Sequence, residues 1–123
     1  MPHHILIVDD SPEKLNDMRM VADRRDPSII IHTAEDIRGG LRLIELLGAR
    51  IDEADFDFDL PDGTGEDLTR AMRQTNTQTL IKLFTARTDA SFEEASGKVL
   101  AAGANAAFSS ESMEGRSNFA NAV

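Results

Sequence analysis

Ile5-Leu6-Ile7-Val8-Asp9-Asp10-Ser11-Pro12 decides the fold. Four consecutive apolar, mostly β-branched residues read as a strand buried on both faces. Two acids then end the apolar run. Ser11 supplies an N-cap, Pro12 suits the first helical position, and Glu13 places an acid in the first turn. The passage is a strand, a short acidic turn and a helix start. The apolar stripe of that helix continues through Leu15, Met18 and Ala22.

Outward from this unit the alternation repeats. A second strand is expected over 28–32 and a helix after Thr33 as cap, burying Ile37, Leu41 and Ile44 and ending at Gly48. Gly39-Gly40 lies inside it and weakens it by about 1 kcal/mol per glycine. A third strand runs to Asp57, followed by a turn at 60–63 and a short helix marked by Leu68, Ala71 and Met72. Thr79 to Thr85 reads as a fourth strand. Ser91 with Glu94 forms a capping box for a helix carrying Phe92, Ala95 and Val99 and ending at Gly103. A weak fifth strand is expected over 104–109, and the polar stretch 111–123 supports at most a short last helix. Strict alternation of this kind predicts an α/β domain, 1–123, with a doubly wound, five-stranded parallel sheet and helices on both faces.

Composition narrows the function. The chain has 123 residues, 41% hydrophobic and 28% charged, with a net charge of −9. That charge opposes a nucleic-acid partner, since phosphate contacts need concentrated Lys and Arg. Without cysteine there are no disulfides and no thiol chemistry. No apolar run approaches the roughly 18 residues of a membrane span. The expectation is a cytoplasmic protein, with no membrane partner. His3, His4 and His32 lack metal-ligand spacing, and Gly63-Thr64-Gly65 lacks the Lys of a phosphate loop.

In an open parallel sheet, ligands bind beyond the carboxyl ends of the strands, at the topological switch point. The first strand ends in Asp9-Asp10, the third in Asp57 and the fourth in Thr85-Ala86. In the flavodoxin-like order 2-1-3-4-5 these strands are neighbours and their ends meet. Two carboxylates about 5 Å apart repel by about 3 kcal/mol at an effective dielectric near 20. Such a cluster protonates, splays or binds a cation. An all-oxygen donor set suits Mg²⁺ with a phosphate, and a carboxylate beside it is a competent nucleophile towards phosphorus.

ILIVDDSP at 5–12, DFDLPDGTGEDL at 57–68, FTA at 84–86 and AAGANAAF at 101–108 resemble the receiver domains of response regulators in two-component signalling. The resemblance spans most of the chain. It implies Asp57 as phosphoacceptor and metal ligand, Asp10 binding Mg²⁺ directly, Asp9 supporting it, and the Asp59 carbonyl completing the protein ligands. Thr85 would be the switch hydroxyl, and backbone groups of Phe58, Asp59 and Ala86 would hold the phosphoryl oxygens. Among the alternating acids Asp55, Asp57 and Asp59, only Asp57 has its proline, Pro61, four residues on as the family does. The implied partners are a histidine kinase or phosphotransfer protein and a downstream protein, with signalling rather than enzymatic turnover.

The chain departs from the family in three places. The pocket lysine's position holds Ser110, the following proline is Glu111, and the switch aromatic is Ala107, beside Phe108. Phosphorylation is therefore expected to couple weakly to a change of shape. Asp55, in a strand position usually apolar, is expected to be raised in pKa, hydrogen-bonded or near a solvated edge. A receiver that works without phosphorylation, as a binding module, is the alternative reading. A Mg²⁺-dependent phosphatase of the haloacid-dehalogenase type is the remote one, since Asp57-Phe58-Asp59 lies too late and the chain is too short.

Overall fold

The structure is a computed structural model, and it describes residues 3–110. The elements are β1 (His4–Val8), α1 (Pro12–Arg25), β2 (Ile30–Ala34), α2 (Ile37–Leu47), β3 (Glu53–Asp57), β4 (Asp59–Leu60), β5 (Gly63–Thr64), α3 (Gly65–Thr75), β6 (Leu80–Thr85), α4 (Asp89–Ala102) and β7 (Ala106–Ser109). Five parallel strands form one sheet in the order β2-β1-β3-β6-β7, and β4 and β5 make a small antiparallel hairpin. This is the doubly wound order expected from the alternation. The short last helix expected within 111–123 lies outside the described residues.

The pleat divides the core. Leu6, Val8, Ala54, Phe56, Ile81 and Leu83 face α2, α3 and α4, together with Ile44, Leu68, Met72 and Val99. Ile5, Ile7 and Phe84 point the other way, onto Leu15, Met18 and Ala22 of α1. Successive residues alternate between two apolar covers, so these strands read as unbroken apolar runs.

Several local expectations are corrected. Thr33 lies in β2, and α2 is capped by Asp36, whose carboxylate accepts the Gly39 N–H at 2.7 Å. Asp62, from the hairpin turn, accepts the Ile37 and Arg38 N–H groups at 2.7 and 3.1 Å. Two carboxylates thus satisfy the orphan donors of one helix start, where they also favour the dipole. Leu41 is exposed and Gly40 takes its place in the core. The Ser91–Glu94 box does not form, because α4 starts earlier, behind Thr88. The second and fifth strands begin two residues later than expected, at Ile30 and Ala106.

Asp55 is only 2% exposed and lies between Ile7 of β1 and Lys82 of β6 in the sheet register. Burial raises its pKa well above the ordinary carboxylate value, and the neighbouring Glu53 carboxyl raises it further. Among the described residues neither Asp55 oxygen has a donor within ordinary hydrogen-bond geometry, while a side-chain contact with Glu53, two residues away on the same face, also contributes to the rise. The raised pKa expected for this residue is found. His4 and His32 lie in parallel, with ring centroids 5.4 Å apart and Nδ1 to Nε2 at 3.1 Å. Burial lowers the His32 pKa, and the nearby His4 adds to this.

Helical glycines are not equivalent here. A Cβ on Gly40 would sit 2.7 Å from Leu68 Cδ2 and 3.1 Å from Val8 Cγ2, whereas one on Gly97 would meet nothing within 4 Å. Gly40→Ala is expected to destabilise the fold by about 1–3 kcal/mol through overpacking. Gly97→Ala is expected to stabilise it by about 0.5–1 kcal/mol through helix propensity alone. Chemical denaturation of the two variants checks this, and equal signs would contradict the packing described.

Candidate functional site

The carboxyl ends of β1, β3 and β6 converge because β1 and β6 flank β3 in the sheet. Asp9 follows β1, Asp57 ends β3 and Thr85 ends β6. Asp9, Asp57, Phe84, Thr85 and Ser110 line one cavity of about 270 Å³, joined by Lys14 and Asp17 from α1. One carboxylate oxygen from each of Asp9, Asp10 and Asp57 lies within 4.8 Å of the others. Asp9 is buried, Asp57 half-buried and Asp10 exposed, so the cluster opens to solvent on one side. The Asp9 carboxylate also accepts the Ser11 N–H at 2.9 Å, which orients it at the helix start.

The electrostatics follow from this crowding. Burial, then the charge of Asp9, push the Asp57 carboxyl up to about 7; Asp10 and Asp59 add to the rise, and Lys14 opposes it. Burial also raises the Asp9 pKa, against the Ser11 hydrogen bond and Lys14. The three carboxylates, with one oxygen each within 4.8 Å of the others, offer the all-oxygen donors that suit Mg²⁺, an ion that takes one or two carboxylates readily. Receiver domains typically bind Mg²⁺ at an acidic pocket of this kind.

Asp59, the first residue of β4, has its side chain turned to the rim. Arg87 Nε and Nη2 donate to its two carboxylate oxygens at 3.1 and 2.8 Å. The guanidinium also lies 4.9 Å from the Phe58 ring centroid. Thr85 Oγ1 accepts the Arg87 N–H at 3.1 Å and stands 3.4 Å from Asp59 Oδ2. Asp59 and Arg87 thus form an ion pair across the rim of the site. Of the backbone groups expected to face a phosphoryl oxygen, the Phe58 N–H is corrected: it donates to the Phe84 carbonyl at 2.8 Å. That bond extends the β3–β6 ladder one residue past Asp57, so the amide is not free as a donor. The Ala86 N–H makes no backbone hydrogen bond among the described residues.

Ser110 stands at the cavity wall, its N–H and hydroxyl both donating to the Thr85 carbonyl, at 2.7 and 3.2 Å. Phe108 does not replace the missing switch aromatic. It stacks on Phe84 at 5.6 Å, on the α1 side of the sheet, while Ala107 packs on the opposite side. Lys14 and Asp17 were not singled out in the sequence. The legible signal was a basic residue in the first turn of α1, where the helix dipole favours acids.

A carboxyl raised in the fold is neutral at low pH, where it costs nothing. Its penalty builds as pH rises from the ordinary carboxylate value, where the unfolded chain ionises, to the folded value, and is full above that. For Asp57, between the ordinary carboxylate range and about 7, the penalty at pH 8.5 is on the order of 2–4 kcal/mol. Asp57→Asn should therefore raise the melting temperature most at pH 8.5 and by a smaller amount at pH 5. An equal change at both pH values would contradict the crowding.

The sequence matches the response regulator receiver domain family over residues 5–111. No curated protein matches it. Among solved structures it is similar to a CheY-like receiver domain protein from Methanospirillum hungatei JF-1, with 23% identity, a TM-score of 0.79, and 99% and 96% of the two chains covered. A LuxR-family two-component response regulator from Aurantimonas sp. SI85-9A1 shares 27% identity at a TM-score of 0.73, covering 92% of this chain and 77% of that one. A response regulator from Burkholderia pseudomallei, solved with a phosphorylated aspartic acid and a calcium ion, shares 16% at a TM-score of 0.74, covering 98% and 70%. The chain belongs to the receiver domain family of two-component response regulators.

Proposed function

We propose that this chain accepts a phosphoryl group on Asp57 from a histidine kinase or phosphotransfer protein and signals through contacts with a downstream protein. Receiver domains are signalling modules that interact with such partners. The observation that carries the reading is the meeting of Asp9, Asp10, Asp57 and Thr85 around one cavity at the carboxyl ends of three adjacent strands.

In the proposed step an Asp57 carboxylate oxygen attacks phosphorus. The bond from phosphorus to the donor's nitrogen or oxygen breaks, its electron pair leaves with the donor, and an acyl phosphate remains on Asp57. Asp9, Asp10, Asp57 and the Asp59 carbonyl would hold Mg²⁺, which supplies positive charge against the phosphoryl oxygens. The Thr85 hydroxyl and the Asp59 and Ala86 amides would hold those oxygens in place. The Arg87–Asp59 pair limits the approach of water at the rim.

Output from this pocket should be local. A ligand shifts an equilibrium only by its differential affinity for the two states. Ser110 offers a hydroxyl where the family has an ammonium, Ala107 has no ring to move, and Phe108 faces away. These features also favour a second reading, a receiver that binds its partner without phosphorylation.

Incubation with acetyl phosphate and Mg²⁺, followed by intact-mass measurement, separates the two. Addition of one phosphoryl mass to the parent, lost in Asp57→Asn, is expected. An unlabelled parent, or label surviving in Asp57→Asn, would contradict the proposal. Arg87→Ala should shorten the acyl phosphate lifetime while changing stability by only about 0.2–1 kcal/mol, and an unchanged lifetime would remove the rim from the account.

A further inference from the structure

We infer that Lys14, from the first turn of α1, is the cation that contacts the phosphoryl group in this pocket, in place of the lysine that Ser110 replaces. The inference rests on the proposed phosphorylation of Asp57 and names a further residue for it.

Among the described residues, Lys14 is the only cationic side chain lining the cavity that holds Asp57, Thr85 and Ser110. It occupies the third position of α1, after the cap Ser11, with its N–H donated to the Ser11 hydroxyl at 3.2 Å. Side chains on a helix tilt towards its N-terminus. For Lys14 that direction leads to the turn carrying Asp9 and Asp10. The side chain is exposed, and among the described residues its ammonium pairs with no carboxylate within 4.0 Å. It is therefore close enough to depress both Asp9 and Asp57, yet it is not held by either. A cation in that state can turn to a new anion without first breaking an ion pair.

Two further points favour a role over chance. A lysine in the first turn works against the helix dipole, and local rules are broken where a site gains from it. The charge count also requires a cation. Asp9, Asp17 and Asp57 line the cavity and Asp10 borders it, and a phosphoryl group would bring more negative charge. One divalent ion leaves that total uncompensated. A flexible four-carbon stem lets a point charge reach in from a neighbouring helix.

The position also sets a sign. Lys14 repels Mg²⁺ and attracts a phosphoryl group, so its removal should move the two affinities in opposite directions. A purely structural residue would move them together. The test is titration of parent, Lys14→Met, Lys14→Arg, Asp57→Asn and the double variant Lys14→Met/Ser110→Lys with Mg²⁺, followed by NMR. Beryllofluoride, a phosphoryl mimic, is then titrated at saturating Mg²⁺ and followed by ¹⁹F NMR. Because Lys14 is exposed and methionine is an equally good helix former, Lys14→Met should fold as the parent does.

Lys14→Met is expected to weaken beryllofluoride roughly 10- to 100-fold, the loss of one charge-assisted contact, and to tighten Mg²⁺. Lys14→Arg should retain most of the beryllofluoride affinity, and adding Ser110→Lys to Lys14→Met should restore it. Beryllofluoride binding unchanged in Lys14→Met, or both ligands weakened together, would overturn the assignment of Lys14 alone, provided the parent binds and Asp57→Asn does not. Failure of the parent to bind, or equal binding by Asp57→Asn, would overturn the phosphorylation reading and this inference with it.

Discussion

The mutual repulsion of carboxylates at the ends of three adjacent parallel strands is the constraint on which the rest of the pocket depends. The order β2-β1-β3-β6-β7 leaves no choice about which strand ends meet. With acids at the ends of β1 and β3, the fold itself holds like charges within 4.8 Å. Burial removes the water that would screen them, and Asp57 becomes hard to ionise. The folded chain stores electrostatic energy at this edge, which a bound cation releases. Stability is sacrificed there to hold an acidic cluster open at the strand ends, a cost that functional sites commonly carry.

The surrounding residues divide that charge among themselves. Arg87 neutralises Asp59 at the rim and so keeps one acid from adding fully to the cluster. The Ser11 N–H steadies Asp9. Ser110 is turned to the Thr85 carbonyl rather than to the carboxylates, and Lys14 reaches the cavity from the opposite wall, α1. The cation beside the cavity therefore stands on the covering helix, and a serine stands at the end of the sheet. In the proposed arrangement a cation on α1 would grip the phosphoryl group without pulling on β7, and retained binding with weak conformational output would follow together.

The strands and the meeting of Asp9, Asp10, Asp57 and Thr85 were legible in the sequence because strands buried on both faces leave unbroken apolar runs, and what ends them is conspicuous. The register of Asp57 was legible from Pro61. Features set by tertiary packing were not. Both Thr33 and Asp36 are good caps, and only the extension of β2 to Ala34 decides between them. Gly40 enters the core because Leu68 and Val8 press against it, a long-range contact that helix periodicity does not encode. Phe58 looked like a free backbone donor until the strand pairing committed its N–H to Phe84. Lys14 escaped notice because one lysine on an exposed helix turn is ordinary until the cavity beside it is seen.

The central claim is that crowded carboxylates, rather than a single acidic side chain, define this pocket. Carbon-detected NMR titration of the Asp57 carboxyl group, without metal and then with saturating Mg²⁺, tests it most directly. The account predicts a midpoint of about 7 without metal and a large fall when Mg²⁺ is bound. A metal-free midpoint near the ordinary aspartate value of about 4, unmoved by Mg²⁺, would contradict it.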